Sequence, residues 1–183
     1  MRIALMAIAT AFFLSACGTA PEPKTVAPAQ STAKQAVANL ASASGSLVSG
    51  KVTLMPMAGG VHLTGTVGGL PANSIHGFHI HEKGDCSAAD ASSAGPHFNP
   101  SAAPHGKAES GAHHAGDMDN VVANAEGVVS LNVHVSGVTL GGDAANDIAG
   151  RALVVHAAPD DYISQPAGNA GARVACGVIT VTQ

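Results

Sequence analysis

Three features of the sequence predict an all-β fold of the sandwich or barrel type. Apolar residues alternate with polar ones over eight short runs, at 36–41, 47–55, 61–67, 75–82, 120–124, 128–135, 151–156 and 174–181, the period-two pattern of strands with one buried face. No window carries the 3.6-residue spacing of an amphipathic helix. Gly numbers 22, Val, Ala and Thr abound, aromatics make only 3% and Trp is absent, which favours small β-branched packing and many turns. Eight strands without intervening helices suit a sandwich or a barrel.

The elements follow in order. Arg2 supplies a minimal basic start and residues 3–14 an apolar stretch, too short to span a bilayer as a mature helix. It ends in Leu14-Ser15-Ala16-Cys17, which looks like a bacterial lipobox. Residues 1–16 are therefore read as a signal peptide, with Cys17 lipidated as the mature N-terminus; an ordinary secretory signal is the alternative. Either reading exports the chain. The expected place is the periplasmic side of a bacterial membrane, lipid-anchored or else soluble. Residues 17–35 are Pro, Ala, Thr, Lys and Gln without apolar period, a flexible tether. Residues 36–183 form the domain. Ala58-Gly59-Gly60 and Glu126-Gly127 mark turns between its runs,. Residues 83–118 and 157–173 are too long and irregular for turns, and long loops in a compact domain are usually functional.

Export changes the reading of the cysteines. With Cys17 taken by lipid, Cys86 and Cys176 remain as an even pair in an oxidising compartment, which argues for one disulfide rather than two free thiols. The formal net charge of −4 counts against binding nucleic-acid phosphates.

The most informative stretch is Gly77-Phe78-His79-Ile80-His81-Glu82-Lys83-Gly84-Asp85-Cys86. In a strand, His79 and His81 point the same way and can grip one metal ion together. His97, His105, His114, Asp117 and His156 follow. Six histidines and one aspartate suffice for two metals.

GFHIHEKGDC (77–86), SAGPHFNP (93–100), HHAGDMDN (113–120), LVVH (153–156) and GNAGARVACGVI (168–179) together resemble the copper/zinc superoxide dismutase family, in its bacterial secreted branch. The resemblance covers residues 36–183. It implies an eight-stranded Greek-key β-barrel or sandwich with two long functional loops, a copper and a zinc ion, and superoxide as substrate. It places copper on His79, His81, His97 and His156, and zinc on His97, His105, His114 and Asp117, with His97 shared. His113 competes with His114 for one position; the family motif His-x-x-Asp favours His114-Ala115-Gly116-Asp117. His62, His76 and His134 match no block and are read as ordinary surface or strand histidines. Asp160 matches the carboxylate that joins a copper histidine to a zinc histidine, with Asp161 its competitor. Arg173 matches the arginine beside the open copper face, where a guanidinium suits a small anion. With His97 it makes the catalytic pair. The second loop contains no Lys, so Lys83 or Lys107 on the first loop are the candidates for further steering of superoxide.

The expected function is disproportionation of superoxide outside the cytoplasm, protecting the envelope. A non-enzymatic metal-binding protein on the same fold is the nearest rival, and a structural envelope lipoprotein is the second. The first would lack a copper ligand or the arginine, and the second gives no reason for seven ligand-type residues in register. Whether two chains pair as a homodimer is left open.

Overall fold

The computed structural model describes residues 29–108 and 110–183. The signal peptide, Cys17 and most of the tether lie outside the described residues. The chain is strand throughout, apart from loops and one 3-10 turn at Ser92–Ala94, with no α-helix among the described residues. Strands run β1 (Ala36–Ser42), β2 (Ser49–Met57), β3 (Gly60–Gly68), β4 (Ile75–His76), β5 (Phe78–His81), β6 (Val121–Val122), β7 (Val129–Ser136), β8 (Ala152–His156), β9 (Arg173–Val178) and β10 (Thr180–Val181). The main sheet is antiparallel and curled, in the order β5-β8-β9-β1-β2-β3-β7, with β10 also on β1. A separate two-stranded pair is formed by β4 and β6.

The eight runs of the sequence become ten strands because two of them change partner part-way. The run 75–82 divides at Gly77, whose N–H donates to Ala158 O while its carbonyl accepts from His156. Before it β4 pairs with β6, and after it β5 pairs with β8. The run 174–181 divides at Ile179, which exchanges backbone bonds with Arg151 and Gly150. Residues 31–34, read from the sequence as tether, already lie on the barrel: Leu140 N–H donates to Ser31 Oγ at 2.8 Å and Ala33 N–H to Leu140 O at 3.0 Å.

The alternation that marks each strand also fills the core. In β2, Val52 and Leu54 face inward between outward Lys51, Thr53 and Met55. Leu63 of β3, Phe78 and Ile80 of β5 and Leu153 of β8 join them, all fully buried. Each such side chain contributes roughly 1.5–3 kcal/mol on leaving water. The β2–β3 hairpin closes tightly because Gly59 adopts φ 80°, a backbone conformation that costs glycine nothing.

Strands β5 and β8 are buried on both faces. Their inner face joins the main core. On the outer face Ala152 and Val154 pack with Cys176, Ala91 and Ala94 under the first long loop. The Cys86–Cys176 disulfide, Sγ–Sγ 2.02 Å, ties that loop to β9. Phe78 and Ile80 thus point into the core, and alternation turns His79 and His81 outward beneath the loops.

Candidate metal centre

Backbone bonds carry the loop histidines to the strand histidines. Phe98 N–H donates to Ile80 O at 2.8 Å, Ile80 N–H to Gly116 O at 2.9 Å and Gly116 N–H to Phe98 O at 2.9 Å. These lay His97 and the segment 114–117 against β5. On the other side, Gly77 links β5 to His156 at the end of β8.

The result is two groups of four ligand-type residues, all buried: His79, His81, His97 and His156, and then His97, His105, His114 and Asp117. Within each group the ligand atoms lie within 4.8 Å of one another. His97 belongs to both. Its Nδ1 stands 2.8 Å from Asp117 Oδ1, and its Nε2 is buried with no protein partner. A single imidazole can serve two ions because its nitrogens point in opposite directions.

The second group has the dimensions of a zinc site. His97 Nδ1, His105 Nδ1 and His114 Nδ1 lie 2.8, 3.1 and 3.2 Å from Asp117 Oδ1, and His114 Nδ1 lies 3.4 Å from His97 Nδ1. Tetrahedral zinc with bonds of about 2.0–2.1 Å sets ligand-to-ligand edges of roughly 3.3 Å. Asp117 Oδ2 is occupied separately, by the N–H groups of His114 and Gly106 at 2.8 and 3.1 Å. His113 turns away, donating from Nδ1 to His114 O.

In the first group each outer nitrogen is committed and the inner one is left for a ligand bond. His81 Nδ1–H donates to Gly95 O at 2.8 Å and His156 Nδ1–H to Gly171 O at 3.3 Å, while their Nε2 atoms face each other at 3.3 Å. His79 Nε2–H donates to Asp160 Oδ2 at 2.8 Å, leaving its Nδ1 buried without a partner. A buried polar atom with no partner is costly. Four nitrogens converging on one point fit copper, which takes imidazole readily.

The electrostatics keep these rings available as ligands. Burial pushes the His81 imidazole down to about 2 and the His156 imidazole to about 3, and it lowers His79 and His114 as well. Burial works against ionised Asp117. The His97 hydrogen bond and the His114 and Gly106 N–H groups outweigh it, holding the carboxylate well below its usual range. Burial likewise opposes a charge on His105, yet its bond to Asp160 and the nearby Asp117 raise it overall.

Asp160 joins the two groups. Its Oδ2 accepts from His79 and its Oδ1 from His105 Nε2–H at 2.9 Å. Asp161 is exposed and caps its own turn at Ile163 and Ser164. Asn120 fixes Asp160 through a reciprocal pair of amide contacts at 2.8 and 2.9 Å. Gly168, at φ 65°, lies so close that an added Cβ would collide with Asp160 Oδ1. Sequence reasoning did not single out Asn120, although it ends the HHAGDMDN block.

A cleft of about 720 Å³ opens over the first group, with walls that include His81, His97, His156, Arg151 and Arg173. A register shift between Val155 and His156 sets Arg173 directly opposite His156. Its Nη1 and Nη2 donate to Ala91 O and Gly95 O at 2.7 and 2.6 Å. Neither Lys83 nor Lys107 lines this cleft; Lys107 sits over the Tyr162 ring at 5.5 Å. The second basic wall is Arg151, over the Phe98 ring at 3.7 Å and bonded to Glu82 O and Asp147 O. Its signal in the sequence is only its place just before the LVVH run. His76 is a strand histidine, in β4, buried on the same parity as Phe78 and Ile80 and not on that of His79 and His81. It donates from Nδ1 to His156 O at 2.8 Å and joins neither ligand group.

Residues 48–179 match the family described as copper/zinc superoxide dismutase (SODC). The chain belongs to the copper/zinc superoxide dismutase family. It is 44% identical over 135 residues to "Superoxide dismutase [Cu-Zn] 2" of Aquifex aeolicus (strain VF5), covering 72% of this chain and 79% of that protein. Among solved structures it resembles the clock protein EA4, with a TM-score of 0.74 and 36% identity over 86% of this chain and all of that one. Superoxide dismutase is thus the activity of this family, copper and zinc are its cofactors, and superoxide is its substrate.

Proposed function

We propose that His79, His81, His97 and His156 hold the copper, that His97, His105, His114 and Asp117 hold the zinc, and that the enzyme works at the periplasmic side of a bacterial membrane. The shared His97 carries this reading: one buried ring offers Nδ1 to one four-ligand group and Nε2 to the other. Bound copper supplies the one-electron exchange by which one superoxide is oxidised to oxygen and a second, with two protons, is reduced to hydrogen peroxide.

The chain's residues supply position and protons. His97 Nε2 takes a proton in the reduced half-cycle and passes it to the product, while Nδ1 stays with the zinc set. Asp117 and Asp160 keep the rings of both groups in one orientation. Arg173, held by two carbonyls at the cleft, offers a fixed positive charge to an anion entering a protein that is itself net negative. Assay of superoxide removal by metal-loaded protein, with copper and zinc measured in the same sample, tests the assignment. One copper and one zinc per chain, both needed for the full rate, is the expected result; a single metal site refutes the shared ligand.

Export is supported by the apolar N-terminal stretch, by Leu14-Ser15-Ala16-Cys17 and by the Cys86–Cys176 bridge, which belongs to an oxidising compartment,. The enzyme then belongs to the secreted lipoprotein branch and removes superoxide arising outside the cytoplasm. Partition of the mature protein into detergent, lost in Cys17→Ser, is the expected behaviour; recovery of wild type wholly in the aqueous phase favours soluble export. Pairing of two chains has support in Ile75 and Val122, which are direct partners across β4 and β6 and expose 47% and 61% of their surface. Sedimentation of wild type against Val122→Asp reads it out, and a monomeric wild type refutes it.

A further inference from the structure

A second cluster of metal-ligating side chains lies on the outer face of the sheet, among residues that form no part of the centre described above. His62 of β3 stands directly opposite His134 of β7 on one side and Met55 of β2 on the other. All three project outward, since their strand neighbours Leu54, Val61, Leu63 and Val135 are buried. Met57 points the same way as Met55. Its direct partner is Gly60, which has no side chain, and His62, two residues along β3, is its diagonal neighbour,. The row across three strands therefore holds two thioethers and two imidazoles.

The spacing suits one ion. The His62 and His134 ring centres are 6.5 Å apart with only 29° between the planes. Two imidazoles bound to a common ion through bonds of about 2.0–2.1 Å have ring centres roughly 5–6.4 Å apart, so a small closing of this outward-facing pair brings both rings onto one ion. The methionines are open to it: Met55 and Met57 expose 51% and 56% of their surface, whereas Met118 is buried in the core. Among the described residues no carboxylate or cysteine joins this row to make a hard or thiolate site. A donor set of thioether sulfur and neutral imidazole selects a soft monovalent cation over zinc or a hard divalent ion.

We infer that Met55, Met57, His62 and His134 form an exterior binding site for cuprous ion, separate from the two-metal centre. The site needs neither copper nor zinc at the centre, so its test stands apart from the assignment made there.

The test uses protein already loaded with both metals. Cuprous ion is added without oxygen, in competition with a chromophoric cuprous chelator. Wild type is expected to take one further equivalent per chain, with sulfur among its neighbours by X-ray absorption. His62→Asn and His134→Asn should each weaken this equivalent at least tenfold. The double variant Met55→Leu, Met57→Leu keeps the apolar volume; it should weaken binding at least tenfold and remove the sulfur signal. Superoxide removal by the loaded variants should match wild type, since none of these residues reaches the cleft. Absence of the further equivalent overturns the inference. So does equal uptake by wild type and the methionine double variant, a comparison that decides the matter even should a histidine variant fail to fold.

Discussion

Replacing Asp160 separates the support of the two ligand groups. Its Oδ2 accepts one N–H, from His79, and its Oδ1 accepts two, from His105 at 2.9 Å and from the Tyr162 backbone at 2.7 Å. Asparagine has one acceptor oxygen, and its NH2 group must then face a ring N–H on one side. Each charge-assisted bond lost is worth about 1.5–3 kcal/mol, and loss of such a support typically costs about 10–100-fold in metal affinity. The two histidines are not equally exposed to that loss. His79 is paired within β5 and β8 and wholly enclosed, so its ring has nowhere to turn. His105 lies on a loop, where Gln165 holds only its backbone, at 2.8 and 2.9 Å. Asp160→Asn is therefore expected to weaken zinc by about 10–100-fold and copper by less than about tenfold, read by competition with a chelator for each ion. Unchanged zinc affinity, or loss of copper with zinc retained, refutes the reasoning.

Three further outcomes are expected. Arg173→Ala should keep both metals and lower the superoxide rate about tenfold or more, with a weaker dependence on ionic strength than wild type, and Arg173→Lys should recover part of the rate; a full rate in Arg173→Ala removes it from the mechanism. Replacing Cys86 and Cys176 together by Ser should cost up to about 4–5 kcal/mol against chemical denaturation, the chain-entropy value for a loop of this length, and no loss of stability refutes it. Metal-free protein should lose stability as pH falls below 6.5, because unfolded His81 and His156 then bind protons that the folded rings, at about 2 and about 3, do not. Two such groups amount to about 4 kcal/mol between pH 8 and 5. His105, raised by Asp160, works in the opposite direction but stands alone among these ligands. Asp117 and Asp160, both held low, add their loss only as pH falls through and below the ordinary carboxylate range. Denaturant midpoints at pH 8 and 5 decide it, and equal values refute it.

How much of this was legible depended on whether a feature was local. The core faces of β2, β3 and β5 follow from alternation within each run, because a strand's side chains obey a rule internal to the strand. The same rule puts His79 and His81 on one face. It does not reveal that the strand changes partner at Gly77, an event set by Ala158 and His156 far along the chain. Asp160 and Asp161 are neighbours of the same chemical type, and only the long-range contact with Asn120 turns one inward. Steering charges were sought among lysines of the first loop, yet the second basic residue at the cleft is Arg151, brought there by its carbonyl partners Glu82 and Asp147.

Arg173 shows why structure and catalysis are hard to divide in this molecule. The shift in register between Val155 and His156 brings it opposite a ligand of the first group. The disulfide three residues on fixes the loop whose carbonyls it binds. One of those carbonyls, Gly95 O, also accepts the His81 Nδ1 proton. Arg173 and His81 therefore share an anchor, and anything that moves the loop moves the guanidinium and a member of the first ligand group together. The bridge, the register shift and the shared carbonyl form one device, which holds a positive side chain still in the wall of the cleft over the first ligand group.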